Sequence, residues 1–160
     1  MSYRLNKYQL EKYSRQIILK DVGTLGQKKI IKSKVLIVGM GGLGCPVAEF
    51  LTRAGIGNIG IVDFDKVDLS NIHRQSLFNL KDLKKSKVIA AKNKLNKINT
   101  QTKVKCYNLK LNKINQSKII KKYDYIVDGS DNFETKLLVN DFCKKYKKFL
   151  VTGAISKFNG

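Results

Sequence analysis

The sequence predicts an α/β fold, a doubly wound and mainly parallel Rossmann-like sheet with an N-terminal helical extension. Three observations support this fold class. Short apolar runs rich in β-branched residues alternate with segments of helical periodicity along the 160-residue chain. A glycine-rich turn joins the first apolar run to a helix, and acidic residues follow two of the later runs. This alternation is typical of parallel strands joined by right-handed helical crossovers.

The first apolar run and its glycine-rich turn organise the chain. Residues 35–38, Val-Leu-Ile-Val, suit a strand that is buried on both faces. Residues 39–44 contain G-x-G-x-x-G, and apolar positions then recur at helical spacing to Ala54. Glycines let a backbone turn tightly and approach a phosphate. The helix that follows the glycines points its free N–H groups and the positive end of its dipole at the same phosphate. Alone the pattern also fits a plain tight turn, but between a strand and a helix it predicts a phosphate-binding loop.

Two parts of the chain are predicted, an N-terminal helical arm over residues 1–33 and a Rossmann-like domain over residues 34–160. In the arm we predict a helix over residues 7–19, a turn bracketed by Gly23 and Gly26, and a short helix over residues 27–31. Strands are predicted at residues 35–38, 59–62, 104–109, 125–127 and 149–151. Helices are predicted after the glycine loop to Ala54, from an N-cap at Ser86 to Ile98, and over residues 113–121 and 133–146.

Composition limits the class of protein. The formal net charge is +20, almost all of it from lysine, and arginine and aromatic residues do not cluster with the lysines. We therefore interpret the charge as solvated faces and predict no nucleic-acid partner, with an acidic protein partner as the alternative. We expect no signal peptide and no membrane contact, because no apolar run approaches the length of a membrane span. The three cysteines are isolated, which predicts a reduced, cytoplasmic protein without disulfides.

Five polar residues are placed where a nucleotide would bind. Asp63 ends the second strand, where a Rossmann-like fold binds ribose hydroxyls, although a polar strand terminus is the alternative. Arg74 offers a planar fork of donors suited to phosphate oxygens. Lys87 falls in the first turn of a helix, where a cation is unfavourable beside the positive end of the helix dipole. A polyphosphate bound in the same space would explain a lysine there, and a solvated lysine is the alternative. Asp128 and Asp131 follow the fourth strand, where a carboxylate can hold Mg²⁺ together with phosphate oxygens.

Seven stretches together resemble one protein family, the ThiF/MoeB/HesA group of adenylyltransferases, which are relatives of the ubiquitin-activating enzymes. The resemblance covers the chain from about Tyr13 to Gly160, and its specificity comes from the joint order and approximate spacing of the stretches. They are residues 13–17 (Y-S-R-Q-I), 38–44 (V-G-M-G-G-L-G), 54–57 (A-G-I-G), 63–65 (D-F-D), 70–75 (S-N-I-H-R-Q), Lys87, and 128–132 (D-G-S-D-N).

The resemblance implies ATP-dependent adenylation of the C-terminal glycine carboxylate of a ubiquitin-like sulphur-carrier protein, with release of pyrophosphate, in thiamine or molybdenum cofactor biosynthesis. It implies ATP and Mg²⁺ as cofactors. Ser70 and Asn71 would shape the loop near the phosphates, and Arg15 would reach into the site of a neighbouring subunit of a homodimer. The implied nucleotide-binding residues are Gly39, Gly41, Gly42, Asp63, Ser70, Asn71, Arg74, Lys87, Asp131 and Asn132. The implied catalytic residues are Arg15, Arg74, Lys87 and Asp131, and Asp131 is also the implied magnesium ligand.

The end of the chain departs from the family pattern. Family members continue past the position of Gly160 with further strands, a carrier-docking surface and often paired C-x-x-C zinc ligands. We therefore expect this chain to be incomplete at its C-terminus and structural Zn²⁺ to occur only in a longer form. Cys45, Cys106 and Cys143 match none of the family's functional cysteines, so no catalysis is assigned to them.

The sequence is compatible with two other functions. One is a NAD- or FAD-dependent oxidoreductase on the same fold. Arg74, Lys87 and Asp131 argue against it, because a dinucleotide cofactor needs no triphosphate clamp with a metal carboxylate. The other is a non-catalytic nucleotide-binding or scaffold protein, an alternative that the expected truncation keeps open. The sequence does not identify the carrier.

Overall fold

The structure, a computed structural model, describes residues 4–156 and 160. Residues 1–3 of the predicted arm and 157–159 of the predicted domain lie outside the described residues. The strands are β1 Lys34–Val38, β2 Asn58–Val62, β3 Lys103–Tyr107, β4 Tyr125–Asp128 and β5 Phe149–Thr152. The helices are α1 Lys7–Lys12, α2 Ser14–Ile17, α3 Gly23–Lys32, α4 Gly44–Ala54, α5 Lys87–Ile98, α6 Gln116–Ile120 and α7 Phe133–Lys145, with 3-10 helices at Leu69–Asn71 and Leu80–Asp82.

The five strands form one parallel sheet in the order β3-β2-β1-β4-β5. From β1 the chain builds outward to β3 on one side, then crosses back to form β4 and β5 on the other. Val38 pairs with Val62 of β2 and with Asp128 of β4, so the carboxyl ends of the central strands meet at one edge. The predicted doubly wound Rossmann-like fold is confirmed.

The core lies in two layers, one on each face of the sheet. Leu36 and Ile37 are adjacent in β1, are both fully buried, and point to opposite faces. The face of Ile37 packs against α4 and α5, and the face of Leu36 packs against α6 and α7. The prediction of a first strand buried on both faces is therefore confirmed.

The N-terminal arm differs from the predicted single helix. Tyr13 interrupts the helix predicted over residues 7–19 and separates α1 from α2. Its buried ring packs against Gly55, which ends α4 with a φ of +92°, and its hydroxyl accepts a hydrogen bond from Asn99 Nδ2 at 3.1 Å. These contacts with the far ends of α4 and α5 fix the break, which the periodicity of the sequence does not show.

The turn predicted between Gly23 and Gly26 is wrong. Helix α3 begins at Gly23, so Gly26 lies inside it and the helix starts earlier than residue 27. The N–H of Gly26 donates to the Val22 carbonyl at 2.7 Å, which shows that the backbone already winds as a helix there.

At the starts of α5 and α6 the structure differs from the predicted details. Ser86 stands at the predicted N-cap of α5, but its hydroxyl makes no capping bond and has no partner among the described residues. Helix α6 is shorter than predicted, because Asn112 Oδ1 accepts from the backbone of Ile114 and Asn115 and holds a turn before it. Within residues 4–156 and 160, no helix has both the length and the apolar character to cross a membrane.

We expect Gly55→Ala to destabilise the fold more than Gly23→Ala. Both glycines have positive φ, +92° and +55°, so each substitution carries backbone strain of about 1–2 kcal/mol. Only at Gly55 would the new Cβ meet another group, the Tyr13 ring at 2.6 Å, whereas nothing lies within 4 Å at Gly23. Urea unfolding of both variants measures the difference, and equal losses of unfolding free energy would contradict the packing of Tyr13 on Gly55.

Candidate functional site

An open cleft of about 1090 Å³ lies at the carboxyl edge of the sheet. Its walls come from the glycine loop after β1, the turn after β2, the start of α5, and the segments that follow β3, β4 and β5. The strand order reverses between β1 and β4, and open α/β sheets bind ligands at such a point. Among the predicted site residues, the structure places these in the cleft lining: Gly39, Gly41, Gly42, Asp63, Asn71, Arg74, Lys87, Asp131 and Asn132.

The glycines of the loop serve two different purposes. Gly39 has a φ of +87°, and a Cβ there would lie 2.9 Å from the Gly129 carbonyl oxygen, so the fold itself requires glycine. Gly41 and Gly42 are different, because a Cβ at either would meet only side-chain atoms of Gln75 or Arg74 at 3.6 Å or more. Their lack of side chains leaves room in the cleft instead, which fits the close approach of a phosphate.

The Asp63 carboxylate joins the glycine loop to the end of β2. Its Oδ2 accepts from the Met40 N–H at 2.7 Å, and its Oδ1 accepts from the Asp65 N–H at 2.8 Å. Each carboxylate oxygen keeps a further lone pair, so these bonds leave acceptors for hydroxyl donors. The residue predicted to bind ribose therefore also shapes the loop predicted to bind phosphate.

Lys87 begins α5 and lies in the cleft wall with an ion-pair partner that the sequence analysis missed. Its Nζ lies 3.0 Å from Asp65 Oδ2. Asp65 also lines the cleft, and it offsets the unfavourable placement of a cation at a helix N-terminus. The available signal was the D-F-D spacing, which puts a second carboxylate two residues after Asp63.

The loop that carries Arg74 is held by a capping box. Asp68 Oδ1 accepts from the N–H and the hydroxyl of Ser70 at 3.0 and 2.9 Å, and Asn71 Oδ1 accepts from the Asp68 N–H at 3.2 Å. These hydrogen bonds from Ser70 lower the pKa of the Asp68 carboxyl below its ordinary value. Arg74 Nη1 donates to the Ser70 carbonyl at 2.8 Å and lies 2.8 Å from His73 Nε2. Ser70 is outside the cleft lining and acts on the shape of the loop.

Asp128, at the end of β4, is saturated by protein donors. Its Oδ1 accepts from the N–H and hydroxyl of Ser130, and its Oδ2 accepts from Lys136 Nζ at 3.0 Å and Thr152 Oγ1 at 2.9 Å. Lys136 Nζ also donates to the Gly153 carbonyl at 2.7 Å. This network around a buried carboxylate ties the loops after β4 and β5 to α7, and the sequence analysis did not find Lys136.

Asp131 is the carboxylate after β4 that is available to a ligand. It is exposed in the cleft, and its one hydrogen bond given by the described residues is a 3.4 Å contact from Asn132 Nδ2. Asn132 Oδ1 caps α7 by accepting from the Thr135 N–H at 2.9 Å. Within residues 4–156 and 160, no three His, Cys, Asp or Glu side chains cluster to hold a metal by themselves. The exposed Asp131 carboxylate has acceptor oxygens of the type that Mg²⁺ takes from proteins beside phosphate oxygens.

The cysteines lack the character of nucleophiles. Burial raises the pKa of the Cys45 thiol to about 12, and it also raises the pKa values of Cys106 and Cys143. All three thiols are free. Since the thiolate is the nucleophilic form, a raised pKa makes these thiols poor nucleophiles at neutral pH.

Arg15 lies at the opposite end of the molecule from the cleft. It is exposed on α2, and the neighbouring Gln16 donates to the carbonyl of Ala54 at the C-terminal end of α4. Helix α5 separates Lys87 in the cleft from Asn99 beside the arm, and its twelve residues span about 18 Å. Arg15 therefore does not reach the cleft of its own chain.

The sheet order, the glycine loop and the polar cleft define a Rossmann-like α/β domain with the features of a nucleotide-binding site. The model of the ThiF family matches residues 13–160, and the chain belongs to this family.

Two relatives and one solved structure are similar over most of the chain. The Drosophila virilis adenylyltransferase and sulfurtransferase MOCS3 is 45% identical over 156 residues, which are 98% of this chain and 34% of the relative. The Thermus thermophilus sulfur carrier protein adenylyltransferase is 42% identical over 157 residues, 98% of this chain and 58% of the relative. The chain thus spans between a third and three fifths of the length of these relatives.

The fold matches the E. coli tRNA N6-threonylcarbamoyladenosine dehydratase TcdA with a TM-score of 0.87 at 24% identity, over 94% of this chain and 62% of that one. TcdA is also solved in complex with AMP and with ATP.

Replacing Lys136 with Met is expected to destabilise the fold by about 3–5 kcal/mol, because the buried Asp128 carboxylate loses its charged partner. The matched control is Lys85→Met. It breaks the pair with Asp82 at 3.6 Å, in which the lysine side chain is 58% exposed, and should cost less than about 1 kcal/mol. Urea unfolding measures both values. If both variants unfold at the same urea concentration, the Lys136–Asp128 pair does not have the assigned role.

Proposed function

We propose that this protein is the nucleotide-binding part of an enzyme that uses ATP to adenylate the C-terminal glycine carboxylate of a ubiquitin-like sulphur-carrier protein, releasing pyrophosphate. The observation that carries the proposal is the convergence of Asp63, Arg74, Lys87 and Asp131 around the side-chain-free surface of the glycine loop. Membership of the ThiF family and the adenylyltransferase names of two relatives support it. Thiamine or molybdenum cofactor synthesis in the cytoplasm is the proposed setting.

The ribose, the phosphates and the Mg²⁺ of bound Mg-ATP each have a proposed partner in the cleft. Asp63 accepts hydrogen bonds from the ribose hydroxyls, and the loop at Gly41 and Gly42 lies against the phosphates. Arg74 and Lys87 donate to phosphate oxygens, with Asn71 holding the Arg74 loop and Asn132 the start of α7. Asp131 holds Mg²⁺, which supplies positive charge to the phosphate oxygens.

The proposed reaction is an attack of one carboxylate oxygen of the carrier's terminal glycine on the α-phosphorus of ATP. The bond from that phosphorus to the bridging oxygen breaks, and the electron pair leaves with pyrophosphate. Two anions approach each other, so the cationic side chains Arg74 and Lys87 lower the barrier by stabilising the charge that accumulates. No general base is needed, because a carboxylate is already ionised at neutral pH.

Calorimetry distinguishes this function from that of an oxidoreductase. We expect ATP with Mg²⁺ to bind and NAD to bind far more weakly, because Arg74, Lys87 and Asp131 suit a triphosphate with a metal ion. Asp131→Asn should weaken ATP binding in the presence of Mg²⁺ but not in its absence, because without the metal the lost carboxylate only repels the phosphates. Tight NAD binding without detectable Mg-ATP binding would overturn the proposal.

A homodimer is part of the proposal, because Arg15 lies beyond reach of its own cleft. We expect Arg15→Ala to lose adenylation activity while it keeps its fold, since the arginine acts on the phosphates of the neighbouring subunit. Mixing Arg15→Ala with the impaired Lys87→Ala should raise activity to about a quarter of the wild-type rate after random exchange of subunits. One site of each mixed dimer then has both residues. Demonstrated subunit exchange without restored activity would contradict the trans role.

A further inference from the structure

Two lysine–aspartate pairs contribute to the cleft lining, one through both residues and the other through its lysine alone, and they differ in how far they are enclosed. In the pair of Lys136 and Asp128, the side chains are 16% and 1% exposed and the carboxylate is saturated by four donors. In the pair of Lys87 and Asp65, the lysine side chain is 7% exposed but the aspartate is 49% exposed. The carboxylate of the first pair is enclosed by protein donors, whereas the second pair has its carboxylate open to the cleft.

The ammonium of Lys87 depends on Asp65. A cation with so little exposure needs a hydrogen-bonded partner, and the one hydrogen bond of Lys87 Nζ within the described residues goes to Asp65 Oδ2 at 3.0 Å. An ammonium has three N–H donors. The contact with Asp65 therefore fixes the direction of one donor and leaves two for acceptors in the cleft.

The position of Asp65 is itself fixed by the backbone. Its N–H donates to Asp63 Oδ1 at 2.8 Å, and its carbonyl accepts from the Lys87 N–H at 3.0 Å. The next residue, Lys66, forms an antiparallel β-bridge with Ser86. The segment after β2 is thus attached to the start of α5, and Asp65 joins the two by both its backbone and its side chain.

We propose that Asp65 is a positioning residue for the reaction in this cleft, whose carboxylate orients the Lys87 ammonium so that two of its donors point at the phosphates of the bound nucleotide. The inference deepens the proposed function and rests on it, because it takes phosphate as the ligand of Lys87. Asp65 acts through Lys87 and itself makes no contact with the reacting atoms.

The test compares ligands with and without phosphate. Asp65→Ala should weaken binding of ATP with Mg²⁺ about tenfold and leave adenosine binding unchanged, since only ATP uses Lys87. Asp65→Asn should stay within a few-fold of the wild type, because the amide oxygen still accepts from Lys87. In a Lys87→Met background, Asp65→Ala should weaken ATP binding no further. Asp82→Ala, which breaks the neighbouring pair with Lys85 outside the cleft, is the matched control and should change neither affinity.

The outcomes separate the two proposals. If the wild type binds Mg-ATP but Asp65→Ala binds it equally well, or weakens adenosine to the same degree, the positioning role is wrong and the proposed function is unaffected. If the wild type does not bind Mg-ATP, both are wrong. Should Asp65→Ala fail to fold, Asp65→Leu, which matches Asp more closely in shape and also lacks an acceptor, takes its place with the same expected loss.

Discussion

The carboxylate of Asp63 holds the cleft together, because its two oxygens accept backbone N–H groups from two different segments. The bond from Met40 fixes the glycine loop after β1, and the bond from Asp65 fixes the turn after β2. Through Asp65 the same turn reaches the start of α5 and Lys87. One buried carboxylate therefore sets the relative positions of the proposed phosphate loop, ribose site and phosphate-binding lysine.

Some of the charged side chains near the Asp63 carboxylate are paired within the protein, and others are available to a ligand in the cleft. Asp128 and Lys136 neutralise each other inside the network that joins β4, β5 and α7, so they contribute stability and little charge to the cleft. Arg74 and Asp131 are exposed in the cleft, and Lys87 keeps donors beyond its contact with Asp65. This arrangement places the cationic donors of Arg74 and Lys87 and the exposed Asp131 carboxylate at an open glycine surface, as the proposed binding of ATP with Mg²⁺ requires.

The strands and the glycine loop could be predicted from local periodicity, and Asp63 and Asp131 from their positions at strand ends. Asn71 and Asn132 were implied only by the resemblance to the family. Asp65 and Lys136 could not be assigned in this way. Their roles depend on partners 22 and 8 residues away, which only the packed structure brings together. The break at Tyr13 was missed for the same reason, since it depends on contacts with Gly55 and Asn99.

Exchange of labelled pyrophosphate into ATP tests the central claim most directly. The account predicts exchange that requires a ubiquitin-like sulphur carrier and stops when the carrier's terminal glycine is removed, because that carboxylate is the proposed nucleophile. It also predicts that Lys87→Ala slows the exchange by about ten- to a hundredfold, as expected for loss of a charge-assisted phosphate contact. Exchange that is independent of the carrier's terminal glycine, or unchanged by Lys87→Ala, would contradict the account.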